Sequence, residues 1–168
     1  QIDSAHIVQV IAAGVDDTTG APWMAMELLR GQDLSAVLKQ RGALSPSEVL
    51  AIFEQLGHGL GAAHRIGIVH RDIKPANLFI ADSQLKGVSF TVKVLDLGIA
   101  RLLHASHATT TGALGSPLWM APEQADKRGA ICPATDVWAL GLLAFRLLTG
   151  KLYWLVPNDS APDHTRPT

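Results

Sequence analysis

The period of the apolar positions changes several times along the chain, and each change marks an element. His6 to Ala13 (HIVQVIAA) and Trp23 to Leu28 (WMAMEL) are short runs rich in β-branched or bulky residues, which predict strands. Asp16, Asp17, Thr18, Thr19 and Gly20 carry turn chemistry between them, so an antiparallel hairpin is expected. Gly31 breaks the pattern, and Asp33 is placed to cap a short helix ending near Gln40. Ser45-Pro46-Ser47-Glu48 opens the best-marked helix: a capping box with proline at the first helical position, where its missing N–H costs nothing. Val49, Ile52, Phe53, Leu56 and Leu60 follow at helical spacing and define one apolar face, running to about Arg65. Gly57, Gly59 and Gly61 each lower helix propensity by about 1 kcal/mol relative to alanine, so packing must compensate and the helix is expected to be buried.

Leu78 to Ile80 and Phe90 to Leu95 predict a second pair of strands, with the turn at Asp82 to Gly87. Residues 99–133 show no period and contain Gly112, Gly115, Pro117, Pro122 and Pro133, which predicts a long ordered loop. Ala134 to Thr149 is apolar nearly all round (Val137, Trp138, Leu140, Leu142, Leu143, Phe145, Leu147), as a core helix would be, and Gly150 stops it. From Pro157 the chain is polar and proline-rich, a surface loop or disordered tail.

Composition narrows the class. Of 168 residues, 48% are hydrophobic and only 17% charged, which excludes intrinsic disorder. Lys and Arg number 14 against 15 Asp and Glu, so charge gives no case for nucleic acid or an anionic membrane as partner. No apolar run reaches the ~18 residues of a membrane span, and the best candidate, Val137 to Leu148, carries Arg146. The single Cys132 excludes a disulfide framework and a Cys-rich zinc site. It fits a reducing compartment, and a cytoplasmic location is expected.

The chemistry concentrates in His70-Arg71-Asp72-Ile73-Lys74-Pro75-Ala76-Asn77, between the buried helix and a strand. A later strand ends in Asp96-Leu97-Gly98. Asn77 and Asp96 supply the hard oxygen ligands that Mg²⁺ takes when it also binds phosphate. Asp72 is left to accept a proton from a hydroxyl, and Lys74 to neutralise charge on a transferring phosphoryl group. The set reads as metal-assisted phosphoryl transfer to an alcohol. His104 and His107 read as an exposed loop pair rather than a metal site. His58 and His64 read as solvated or capping, and Cys132 as a small buried or loop residue.

With Ala121-Pro122-Glu123 further on, HRDIKPAN and DLG in this order and spacing resemble the catalytic core of the eukaryotic-like (Hanks-type) serine/threonine protein kinases, of the bacterial kind. The resemblance runs from about His6 to Gly150. It implies an α+β, two-lobed fold and a partial kinase domain over 1–168. Residues 1–27 would be a β-hairpin remnant of the small lobe, 28–33 the hinge, 34–156 the mainly helical large lobe and 157–168 the tail. It further implies that Asp72 is the catalytic base, Lys74 its phosphate-contacting partner, and Asn77 and Asp96 the metal ligands. Met26 would be the gatekeeper behind adenine, Glu27 and Leu29 would offer it backbone groups, Asp33 would face the ribose, and Phe79 would floor the pocket. Arg71 would pair with a phosphothreonine at Thr109, Thr110 or Thr111, and Ser116 would bridge to Asp72 and Lys74. The implied cofactors are ATP and Mg²⁺, with Mn²⁺ able to substitute. The implied partners are proteins with Ser/Thr acceptors, with dimerisation for autophosphorylation.

Leu97 stands where the family usually has phenylalanine and is expected to fill the same apolar site. These residues include no glycine-rich phosphate loop, strand lysine or partner glutamate ahead of the first strand. The chain is therefore expected to begin just past those parts and to be inactive by itself, and Glu123 is expected to lack an arginine partner. Two rivals carry less weight. A pseudokinase scaffold is disfavoured by intact Asp72, Lys74, Asn77 and Asp96. A small-molecule kinase of the aminoglycoside or choline type is disfavoured by Lys74 and the Ala121–Glu123 segment.

Overall fold

A computed structural model describes residues 2–83, 89–97, 117–126 and 129–154 of the chain. Strands β1 (Val10–Val15) and β2 (Pro22–Met26) form the expected antiparallel hairpin. Its turn is tied by the Asp16 carboxylate, which accepts from the Thr18 and Thr19 N–H groups at 3.1 and 2.7 Å. Gly14 lets the Trp23 ring of the opposite strand lie close, since a Cβ would come within 2.9 Å of it and the ring would have to shift. The hairpin starts at Val10 rather than at the predicted His6. Residues 6–8 pair elsewhere: Val94 N–H donates to the His6 carbonyl at 2.8 Å, and Val8 N–H to the Val94 carbonyl at 3.0 Å. That pairing buries Ile7 and Val8 in the core, a tertiary use of β-branched residues that local pattern does not reveal.

The other sheet is antiparallel in the order β3 (Gly31–Asp33), β4 (Leu78–Asp82), β5 (Phe90–Val94), so the expected hinge at 28–33 contributes a strand. Gly31 sits at φ 132°, and a Cβ there would run into the Ile80 carbonyl. Along β5, buried Val92 and Val94 alternate with half-buried Thr91 and Lys93, the pattern of a sheet with one face on the core. The β5 edge is capped by Gln55, whose side-chain oxygen accepts from Val92 N–H at 2.8 Å.

Helix α1 (Leu34–Arg41) is capped by Asp33, whose carboxylate accepts from Ala36 N–H at 2.9 Å. Helix α2 (Pro46–Arg65) runs as the sequence predicts, burying Val49, Ile52, Leu56 and Leu60. Of its three glycines only Gly59 is explained by packing: a Cβ would lie 3.0 Å from that of His6, whereas Gly57 faces open space. In the capping box Glu48 accepts from Ser45 N–H at 2.9 Å and takes both Arg41 Nη groups, at 2.7 and 3.0 Å. The Arg41 guanidinium, with the Ser45 donors, holds the Glu48 carboxyl at about 2 instead of 4.5. Because the folded value is depressed, the stabilisation is complete above pH 4.5 and is lost as pH falls towards 2. Glu48→Ala is therefore expected to cost about 1 kcal/mol at neutral pH. Urea titrations of variant and parent chain should converge near pH 2; a pH-independent gap would contradict this origin.

Within the stretch expected to be irregular, Pro117–Trp119 forms a 3₁₀ turn and Pro122–Ala125 a short helix, α3. Both are too short for a hydrophobic period to show. Thr109, Thr110, Thr111, Ser116, His104, His107 and the tail from Pro157 lie outside the described residues. Helix α4 (Pro133–Thr149) ends at Gly150 in the left-handed region. It buries Ala139, Leu142, Leu143 and Leu147, but Val137 is 60% and Leu148 45% exposed. The expected all-round burial is therefore corrected: α4 packs on α2 and on the Pro117–Trp119 turn from one side. Among the described residues no helix is long and apolar enough to cross a membrane.

Candidate active site

The loop from His70 to Asn77 joins α2 to β4, and its backbone is held by a buried carboxylate. Asp136, at the start of α4 and 1% exposed, accepts from the His70 and Arg71 N–H groups, both at 2.9 Å. It also meets His64 Nε2 from α2 at 2.7 Å. Arg71 sits at φ 68°, a left-handed conformation costing a non-glycine residue about 1–2 kcal/mol. Asp136 fixes its N–H, and the Gln124 side chain donates to its carbonyl at 2.7 Å. His70 is fully buried beneath the loop. Its Nε2 contacts the Leu95 carbonyl at 2.8 Å, which can only accept, so this nitrogen carries the proton. The other, Nδ1, accepts from Asp72 N–H at 3.3 Å.

That frame presents a compact polar set. Asp72 Oδ2 accepts from Lys74 Nζ at 2.8 Å and from Asn77 Nδ2 at 3.0 Å. Asn77 Nδ2 also donates to the Asp72 carbonyl at 2.8 Å, so its amide is oriented from two sides. With Oδ2 occupied, Asp72 has one oxygen, Oδ1, without a partner among the described residues. Asn77 Oδ1 likewise has no partner among the described residues.

The donor set fits a metal shared with a nucleotide. Leu95 N–H donates to the Asn77 carbonyl at 2.9 Å, which sets the end of β5 beside Asn77 and brings Asp96 next in line. Asp96 is exposed and turned by a left-handed φ of 51°. Among the described residues no group of three or more His, Cys, Asp or Glu gathers to hold an ion alone. One carboxylate and one amide oxygen are what Mg²⁺ uses when phosphate oxygens complete its shell.

Of the residues expected to meet the nucleotide, the three-stranded sheet carries Asp33 and Phe79, while Met26 ends β2 and Glu27 and Leu29 lie outside any strand. Asp33, Phe79 and Lys93 are cross-strand partners on β3, β4 and β5, which places them on one face. Lys93 Nζ reaches Glu27 at 2.6 Å, joining the residue just after β2 to that row. Burial pushes the Glu27 carboxyl up, but Lys93 and the Gln9 N–H outweigh it and the net shift is downward. The Glu27 N–H is engaged by the Gln9 carbonyl at 2.9 Å. Asp33 serves as the α1 cap. Met26 is 37% exposed at the end of β2, and Leu29 is half-buried in the hinge. Leu97 is buried in the main hydrophobic cluster, as expected of the residue after Asp96.

Sequence reasoning missed several participants. His64 is not simply solvated but bonds the Asp136 carboxylate. Glu123 has no arginine against it among the described residues, and what was not foreseen is that Thr135 Oγ1 donates to it at 2.7 Å. Lys93 and Gln124 were not singled out either. One signal was legible, since Thr135 and Asp136 are polar residues opening an apolar helix, and both are almost fully buried. Cys132 is exposed, just ahead of α4.

Residues 1–166 match the family described as "Protein kinase domain". The chain belongs to that family. It is 40% identical over 151 residues to the serine/threonine-protein kinase PknL of Mycobacterium tuberculosis, which covers 89% of this chain and 36% of that protein. It is also 40% identical over 130 residues to PknA of the same species, covering 77% and 28%. To a protein named serine/threonine-protein kinases drp72, of Corynebacterium efficiens, it is 36% identical over 154 residues, covering 89% and 28%. The chain thus spans about a third of the length of these curated relatives.

Proposed function

We propose that the protein these residues belong to transfers the γ-phosphate of ATP to Ser or Thr hydroxyls of proteins. The observation that carries the reading is Asp72: a carboxylate with one oxygen pinned by Lys74 and Asn77 and the other without a partner among the described residues, on a loop fixed by Asp136. The acceptor hydroxyl gives its proton to Asp72 Oδ1 as its oxygen bonds to the γ-phosphorus, and the bond to the β–γ bridging oxygen breaks, leaving ADP. Lys74, beside Asp72 at 2.8 Å, would offset the negative charge gathering on the transferred group. Asn77 and Asp96 would hold Mg²⁺, or Mn²⁺ in its place, and the ion would neutralise phosphate charge. Asp33, Phe79, Met26, Glu27 and Leu29 would seat the nucleoside. Arg71 with a phosphorylated Thr109, Thr110 or Thr111, and Ser116 with Asp72 and Lys74, would order the acceptor side. A cytoplasmic location and dimerisation for autophosphorylation belong to the same reading.

Incubating the full-length protein with labelled ATP, Mg²⁺ and casein or myelin basic protein tests it. Label recovered as phosphoserine or phosphothreonine is expected. Nucleotide binding with no label in protein would point to a scaffold instead.

A further inference from the structure

A cavity of about 310 Å³ lies beside the candidate base. Ser35 and Leu38 from α1, Lys74 and Pro75 from the catalytic loop, Trp119 from the 3₁₀ turn, Arg146 near the end of α4 and Leu152 beyond it meet around it. Among the described residues no carboxylate lines it. Lys74 already faces the Asp72 carboxylate, so its charge is matched. Arg146 is different. Its one hydrogen bond among the described residues is from Nη1 to the Gly150 carbonyl, and no Asp or Glu there pairs with it.

The bond to Gly150 is an ordinary helix-end contact, and a capping role alone would explain it. It leaves most of the guanidinium's five N–H donors uncommitted, however, on a half-buried side chain walled by Leu38 and Trp119. A positive charge in such partly desolvated surroundings binds an anion more strongly than the same charge in open water. The cavity is also tied to the chemistry, because the Lys74 side chain that lines it touches Asp72 at 2.8 Å.

We infer that this cavity is a substrate subsite, with Arg146 selecting an anionic side chain close to the acceptor hydroxyl in the protein being phosphorylated. The inference rests on the phosphotransfer reading above and adds the substrate's chemistry to it. Extended peptide advances about 3.3 Å per residue, so a group seated one side chain away from Asp72 belongs within about three residues of the acceptor. The recognised chemistry is an oxyanion, and either a carboxylate of Asp or Glu or a phosphorylated residue supplies it.

The test uses the full-length protein, and its Arg146→Gln and Arg146→Glu variants, with short peptides. Each peptide carries one serine acceptor flanked by glutamate, phosphothreonine, alanine or arginine. Both kcat/KM and the binding of acceptor-free versions, by fluorescence anisotropy, are measured. Taking ratios between peptides within each variant cancels any loss of folded protein. The unsubstituted protein should favour the glutamate peptide over the alanine one by about tenfold, the discrimination of one charge-assisted hydrogen-bonded pair. Arg146→Gln should bring the ratio near unity, and Arg146→Glu should turn the preference to the arginine peptide. A larger effect with phosphothreonine than with glutamate would identify primed substrates as the source of the anion. Phosphotransfer with a ratio unchanged by both variants would overturn the subsite while leaving the kinase reading intact. Arg146-dependent binding of the acidic peptide without transfer would do the reverse. Neither transfer nor preferential binding would overturn both.

Discussion

Asp136→Ala is expected to destabilise the fold by about 2–5 kcal/mol, the cost of leaving buried donors without their acceptor. The substitution strips the acceptor from the His70 and Arg71 N–H groups and from His64 together. His70 is fully buried, so water does not readily replace what its N–H loses. Arg71, held at φ 68°, keeps only the Gln124 bond to its carbonyl once its N–H is released. The loop should relax, and Asp72 with it. The full-length protein should therefore lose phosphotransfer even under conditions where the variant stays folded. Asp136→Asn separates the two effects: it keeps the volume and one acceptor oxygen, so it should recover part of the stability but little of the activity. Urea unfolding midpoints and initial rates on the same preparations check this. A loss below about 1 kcal/mol would show that the clamp is dispensable.

The parts legible in the sequence are those whose cause is local. Helix α2 announces itself by a capping box, a first-turn proline and a sustained apolar face, and its bounds come out as Pro46–Arg65. The hairpin turn and the stop at Gly150 are equally local, because each depends on the chemistry of a few neighbouring residues. The core of the candidate site was legible for another reason. Asp72, Lys74 and Asn77 lie within six residues, so their chemistry is written in one stretch of chain.

What stayed hidden depends on partners far away in sequence. His6 to Val8 looks like the start of a strand in the first hairpin, yet pairs with Val94. His64 has no local sign of a role, since Asp136 lies 72 positions further on. Lys93 looks like a solvent-facing strand residue until Glu27 is found against it. Helix α4 shows the opposite error. Its composition is that of a fully buried helix, yet only one side is covered among the described residues, a matter of what packs on it rather than of its own pattern.

Asp72→Asn in the full-length protein tests the central claim most directly. The substitution is close to isosteric, and an amide oxygen still accepts from Lys74 and Asn77, so the loop geometry should survive. The amide NH₂ then occupies the position of the open carboxylate oxygen and cannot take up the hydroxyl proton. Losing a general base of this kind lowers the rate by about 10²- to 10⁴-fold. The measurement is kcat for phosphate transfer to protein alongside ATP affinity by direct binding, for the variant and its parent. A rate reduced by that factor with ATP affinity retained is the predicted result; near-normal transfer would contradict the assignment of Asp72 as the base.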